Sequence, residues 1–392
     1  MKRRFLALVL LGGLLLIDCN RGEAVVEAPG EPEAEEWLVR YLQIDTSNPP
    51  GNETPAARFF QEILKREGIE SRLLGSEPAR QSIYARLASG SNEPALVLLH
   101  HLDVVPVVAS EWSVPPFSGK RSGGYIWGRG ALDIKSLGIA ELSAFLDLKR
   151  QKIALRRDVI FLAVADEETG GLRGCKEILE RHPELFQNVG FVLNEGGANE
   201  TIVDRVSFWG IEVDEKIPLW IRLTVRSSAG HSAVPPDDGG SVAHLLRALT
   251  AIQQIPRPYR VTPNVARQLA MAAERKPDRG DALRDPARFF DAPDFEKRLS
   301  PSVRALLRDT LAITRIHAGT AVNTIPAEAF AELDLRLLEG SSPDAMLDKI
   351  RAAAGESVDL SVLLKEEKAP ASPIESDLYR LLERVMKKAE PA

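Results

Sequence analysis
Apolar positions fall into two patterns along the chain. Between Leu96 and Gly197 they form short unbroken runs: LVLL before HHLDV, VIFLAVA before DEETGG, FVL before NEGG. Such runs are strands buried on both faces, as in a parallel sheet. After about residue 213 the runs give way to alternation. Leu219, Ile221, Leu223 and Val225 alternate with Trp220, Arg222, Thr224 and Arg226. Ala331, Leu333, Leu335 and Leu337 alternate with Glu332, Asp334 and Arg336. Each reads as a strand with one wet face.

Helical periodicity fills the intervals. In the first region it predicts helices at 34–42, 54–67, 139–149 and 172–181, with NPPGNE as a turn and Thr54 and Pro55 as N-cap and first helical residue. Strands are expected at 82–87, 95–99, 159–165 and 191–193. In the second region, helices at 241–255 and 343–353 accompany the two wet-faced strands. Residues 257–315 are charged and contain prolines, and read as an elaborated connection with a helical piece at 302–311. A last helix is expected at 376–388. The alternation of strand and helix predicts an α/β domain with a central, mostly parallel sheet flanked by helices. Two helices on an antiparallel sheet predict a smaller α+β domain inserted into it. The boundaries are 35–213 for the first domain, 214–368 for the insertion and 369–392 for the return.

The N-terminus adds a targeting reading. Lys2, Arg3 and Arg4 precede an apolar run over 5–17, short for a membrane span and suited to a signal-peptide core. We expect a signal peptide over 1–19, a tether over 20–34, and an exported protein. Cys19 directly after the core suggests a lipid-modified or membrane-tethered form, although Asp18 stands where a lipoprotein signal has a small residue. The other cysteine, Cys175, reads as a small buried hydrophobe. The net charge of −6 and pI near 5.7 argue against nucleic acid.

The polar residues after the apolar runs carry the chemistry. His101 and Asp103 lie two apart and share a side in an extended segment, so Asp103 is placed to orient the imidazole. A turn histidine with a capping aspartate is the plainer alternative. His100 faces the other way and reads as structural. Asp133 follows GRGAL and reads either as a helix N-cap or as a carboxylate that bridges two metal ions about 3.5–4 Å apart. Asp166, Glu167 and Glu168 crowd three acids after a buried strand, which costs energy unless cations compensate. The natural division gives one acid to a metal and its neighbour to proton transfer; a solvated charge run is the alternative. Glu195 repeats the order of strand, acid, glycine. His231 in SSAGHSA, Asn323 in NTIP and Arg336 in LDLRLL are ordinary when taken singly.

Taken together, these motifs resemble the zinc-dependent aminoacylase and carboxypeptidase family, which includes acetylornithine deacetylase, succinyl-diaminopimelate desuccinylase and carboxypeptidase S. The likeness runs over about residues 35–388 in the family's motif order. It implies that His101, Asp133 and Glu195 hold one zinc, that Asp133 and Glu168 hold a second, and that Glu167 is the general base. It implies a ferredoxin-like insertion serving as lid and dimerisation domain, so a homodimer. There His231 stabilises an oxyanion in the partner's site, and Asn323 and Arg336 hold the substrate's backbone and carboxylate. The expected reaction is hydrolysis of the amide of an N-acyl amino acid or short peptide. An inactive scaffold and a metal-dependent aminopeptidase are the alternatives. The family's second zinc also takes a histidine near the C-terminus, whereas the last histidine here is His317, before NTIP. The resemblance therefore leads us to expect a truncated chain with at most one tightly held zinc, weak hydrolysis and poor solubility.

Overall fold
The computed structural model describes residues 31–197, 199–202, 205–275, 280–367 and 369–389. The expected signal segment and residues 20–30 of the expected tether lie outside them. Among the described residues no helix is long and apolar enough to cross a membrane. The chain divides into two compact units: residues up to Glu212 together with those from Pro373, and Val213–Ser372.

The first unit begins with helices α1 (Glu31–Leu42) and α2 (Thr54–Arg66). Strands β1 (Ser71–Leu74), β2 (Ser82–Leu87) and β3 (Ala95–His101) follow, then a hairpin of β4 (Lys120–Ser122) and β5 (Tyr125–Trp127). Next come α3 (Lys135–Arg150), β6 (Val159–Val164), α4 (Glu177–Arg181), β7 (Val189–Leu193) and a hairpin of β8 (Glu200–Ile202) and β9 (Arg205–Phe208). The sheet order is β1-β2-β6-β3-β7. Strands β6, β3 and β7 are parallel neighbours, β2 runs against β6, and β1 against β2. Four of the five strands therefore point one way.

Both faces of this sheet are covered. Val159, Phe161 and Ala163 of β6 pack with Tyr41, Phe60, Leu142 and Phe145 from the helices on one side. Ile160, Leu162 and Val164 pack with Ile178 on the other. Every position of β6 is buried, which is why its sequence is a continuous apolar run.

Several local expectations change. Helix α1 starts at Glu31, inside the expected tether; Pro32 in its first turn has the φ a helix start needs. Thr54 does not cap α2. Its hydroxyl donates to the Pro78 carbonyl at 2.8 Å and accepts from the Gln81 amide at 2.9 Å, so it is committed to tertiary contacts. Helix α3 starts four residues before the apolar period does. Lys135 is fully buried, and its ammonium donates to the carbonyls of Tyr41 and Ile44 at 3.0 and 2.7 Å. Within 172–181 only α4 is regular helix. A Cβ on Gly174 would meet the Ala165 carbonyl at 1.8 Å, so a wide turn over Leu172–Lys176 replaces the first part.

The second unit runs β10 (Ile217–Arg226), β11 (Gly230–His231), α5 (Gly240–Gln253), α6 (Pro263–Arg275), then three short helices, α7 (Gly280–Arg284), α8 (Phe295–Arg298) and α9 (Pro301–Leu306). It continues with β12 (Thr310–Ala318), β13 (Thr324–Ile325), β14 (Glu328–Leu337), α10 (Pro343–Ala354) and β15 (Val358–Lys365). The antiparallel sheet has the order β12-β14-β10-β15, the ferredoxin-like arrangement. Leu219, Ile221 and Leu223 of β10 and Leu333 and Leu335 of β14 pack with Leu245 and Leu249 of α5 and Leu347 and Ile350 of α10. The helix expected at 302–311 ends at Leu306, and Thr310–Ala318 is an edge strand instead. The expected connection 257–315 has a core of its own around Leu269, Leu283, Phe295 and Leu299. Helix α11 (Asp377–Ala389) belongs to the first unit, where Leu378 packs on the core beside α1 and α2.

Candidate active site
Three parallel neighbours, β6, β3 and β7, end at one edge of the first unit's sheet, where ligands of open α/β sheets bind. In register, His101 closes β3 opposite Val164 of β6. Asp166, Glu167 and Glu168 follow β6 directly, and Glu195 follows β7 two residues after Leu193. Asp133 comes to the same edge just ahead of α3.

His101 is the hub. Its Nδ1 lies 2.9 Å from the backbone carbonyl of Asp103 and must donate to it, so the proton sits on Nδ1 and Nε2 faces the acids. Nε2 is 3.1 Å from Asp133, 3.7 Å from Glu195 and 3.9 Å from Glu167. Burial alone pushes the imidazole pKa down. The carboxylates, Asp103 and Asp133 foremost, override it and raise the value to about 11. The same field acts on the acids. Burial, reinforced by Asp133, Glu167 and Asp103, raises Glu168 to about 7. Burial, with Glu167 and Asp133, also raises Glu195. Asp133 is held low by its bond to His101.

Asp103 holds the imidazole as expected, chiefly through its backbone carbonyl at 2.9 Å from Nδ1, with its carboxylate 3.5 Å from the same nitrogen. That carboxylate is fully buried and accepts from the amides of Glu167 and Glu168, both at 3.1 Å, and from Asn48 Nδ2 at 2.7 Å. It thus ties the strand carrying His101 to the loop carrying the acids. Asp133 makes no cap for α3. His100 points into the core, where its Nδ1 lies 2.9 Å from Glu141; burial drives its pKa to about 3.

Ligand-type atoms gather within 4.8 Å of one another in two groups, His101 with Glu167 and Glu195, and His101 with Asp133 and Glu168. Both groups pass through the same imidazole, and the combination of His101, Asp133 and Glu195 is not among them. One imidazole amid four carboxylates is a donor set that suits a divalent cation, whose charge offsets the mutual repulsion of the acids.

In the second unit, β11 pairs with β13, setting His231 opposite Thr324 and next to Asn323. The Ser232 amide donates to the Asn323 carbonyl at 3.1 Å, and His231 Nδ1 accepts from the Ala233 amide at 3.1 Å. Two residues about 90 positions apart in sequence thus share one exposed ribbon. Arg336 lies on the polar face of β14, with Nε 3.0 Å from Asp334 and the guanidinium over the Trp220 ring. Sequence reading missed Asn48, Glu53 and Arg80, each of which bonds to Asp166 of the acid loop. The signal for Asn48 and Glu53 was their place in a Pro/Gly turn that reads as punctuation; Arg80 had none.

The family model described as peptidase family M20/M25/M40 matches residues 97–391. The N-fatty-acyl-amino acid synthase/hydrolase PM20D1 of Xenopus tropicalis is 28% identical over 389 residues, covering 94% of this chain and 75% of that protein. Human aminoacylase-1 is 28% identical over 347 residues, covering 86% and 75%. Among solved structures, an M20 family metallo-carboxypeptidase from Sulfolobus solfataricus superposes with a TM-score of 0.70 at 21% identity, covering 91% of this chain and 83% of its own. Human carnosine dipeptidase 1 gives 0.63 at 17% identity, covering 91% and 82%. These two likenesses concern the fold.

Proposed function
The chain belongs to peptidase family M20/M25/M40, and on that premise we propose that it hydrolyses the amide bond of N-acyl amino acids or short peptides bearing a free carboxylate. The observation that carries this reading is the cluster of His101, Asp133, Glu167, Glu168 and Glu195 at the edge of three parallel strands. We propose zinc as the metal, held by His101, Asp133, Glu168 and Glu195. When bound it would polarise the amide carbonyl and acidify water. Glu167 removes the proton from the attacking water and delivers it to the departing amine. His231 donates to the oxyanion, and Asn323 and Arg336 bind the substrate's backbone and carboxylate, for which a planar guanidinium is suited. The two relatives named above act, by their names, on acylated amino acids, which supports the same substrate class here.

The test sets N-acyl amino acids against amino-terminal amides, each with chelator and with zinc restored. We expect hydrolysis of the acylated substrates, lost on chelation and regained with zinc. Faster turnover of free-amine substrates, or indifference to the chelator, overturns the reading.

We further propose a homodimer through the inserted domain, in which His231 serves the other subunit's site. A chain carrying His231→Ala mixed with one carrying Glu167→Ala is then expected to regain activity, because one site of each heterodimer has both groups. Inactive heterodimers, verified by differential tagging, rule out service across the boundary.

A further inference from the structure
We propose that Arg80, gripped by the Asn48–Glu53 turn, is a positioning residue that fixes Glu167 and Glu168 for catalysis and metal binding. The inference rests on the hydrolase reading above.

The acid loop needs such a device. Asp166 sits in the left-handed region at φ 71°, which disfavours residues with a Cβ and persists where surroundings enforce it. This conformation turns the chain so that the next two amides reach the Asp103 carboxylate. What enforces it is a buried polar network. Arg80 donates through Nε and Nη2 to the two oxygens of Glu53, at 3.2 and 2.7 Å, and through Nη2 to Asp166 at 2.8 Å. Glu53 also accepts from the Asp166 amide at 3.3 Å. Asn48 Nδ2 reaches both Asp103 and Asp166, at 2.7 and 3.3 Å. Thr169 and the Arg173 amide complete the Asp166 carboxylate at 2.6 and 2.9 Å.

The turn is shaped around the guanidinium. Gly51 has φ +88°, and a Cβ there would lie 2.3 Å from Arg80 Nε. The Asn48 amide donates to the Val104 carbonyl at 2.9 Å and Thr46 Oγ1 to Leu102 at 2.7 Å, which docks the turn on the segment that carries Asp103. Glu53, Arg80, Asp103 and Asp166 are each at most 5% exposed. A buried ion pair of this kind is a poor source of stability, since apolar residues of equal volume often do as well. Its remaining value is geometric: a planar fork fixes direction at both carboxylates at once.

Arg80→Lys keeps the charge and removes the fork. On folded, metal-loaded protein we expect kcat to fall about 10–100-fold with KM near wild type, and divalent metal affinity measured by chelator competition to fall about tenfold. Arg80→Ala should regain part of its rate with added guanidinium and not with methylammonium. A fall in either kcat or metal affinity on folded Arg80→Lys protein supports the proposal. Wild-type values of both overturn it, as does a loss of rate matched by an equal loss of folded protein. If the wild-type chain turns over no substrate, the hydrolase reading fails, and the metal-affinity ratio alone decides this one.

Discussion

Replacing Glu167 with Gln is expected to lower kcat by about 10²–10⁴-fold while metal stays bound. The geometry separates Glu167 from its neighbour. Glu168 is half-buried, accepts from the Val105 amide at 3.2 Å and groups with His101 and Asp133, the surroundings of a ligand. Glu167 is about half exposed at 51%, with its amide anchored to Asp103, so its carboxylate has both a fixed base and room for substrate. Its grouping with His101 and Glu195 makes a ligand role the rival assignment. Gln preserves size and hydrogen-bonding reach but removes the charge and the ability to hold and release a proton. Metal analysis after dialysis decides between the two roles. Activity lost with metal retained fits the base; activity and metal lost together make Glu167 a ligand. Near-normal turnover refutes both.

The parts of this fold legible in the sequence are those where burial is uniform or strictly periodic. Strand β6 is buried at every position, and β10 buries alternate residues over its first six, so the apolar pattern reports the structure directly. Strand β12 was misread because it is a sheet edge: five of its nine positions are exposed, and its apolar contrast is too weak to compete with a helical reading. The start of α3 was hidden for the opposite reason. Lys135 is polar by composition and core by position, because two backbone carbonyls accept its ammonium. The carbonyls at and just beyond the C-terminus of α1 attract such a cation, but only the folded chain reveals which lysine supplies it.

The site was legible residue by residue and less so as a network. His101, Asp133, Glu167, Glu168 and Glu195 each follow an apolar run or open a helix, and the structure brings them within reach of one another. Asp103 was expected to orient the imidazole; it does so chiefly through its carbonyl, while its carboxylate also clamps the acid loop. Alternation places both groups of Asp103 near His101 and cannot say which one faces the ring. Arg80 lies in a loop with no pattern around it, 27 positions from Glu53 and 86 from Asp166, so nothing local announces its part. Charge pairs buried between distant segments are the class of feature that a single sequence conceals.

His101→Ala is expected to abolish metal retention and activity together, whereas His100→Asn should leave both in the folded fraction. The contrast follows from the pleat: consecutive side chains on a strand face opposite ways. His100 lies fully buried against Phe60 and Phe161, its pKa depressed to about 3 by burial, and bonds to Glu141. Disturbing that bond leaves a buried carboxyl short of its partner, a loss of about 1–3 kcal/mol of stability. His101 is buried too, at 2% exposed, and its imidazole is common to both groups of ligand-type atoms. Without it the site is four carboxylates with no nitrogen donor, and their repulsion is no longer offset by an imidazole. The measurements are metal content after dialysis and the thermal midpoint. His101→Ala should lose metal, and its metal-free midpoint should also fall below that of metal-free wild type, because the acids lose the imidazole that offsets them. His100→Asn should lower the midpoint and keep its metal. If His101→Ala retains a full complement of tightly held metal, the imidazole is not the shared ligand, and the ion sits among carboxylates alone.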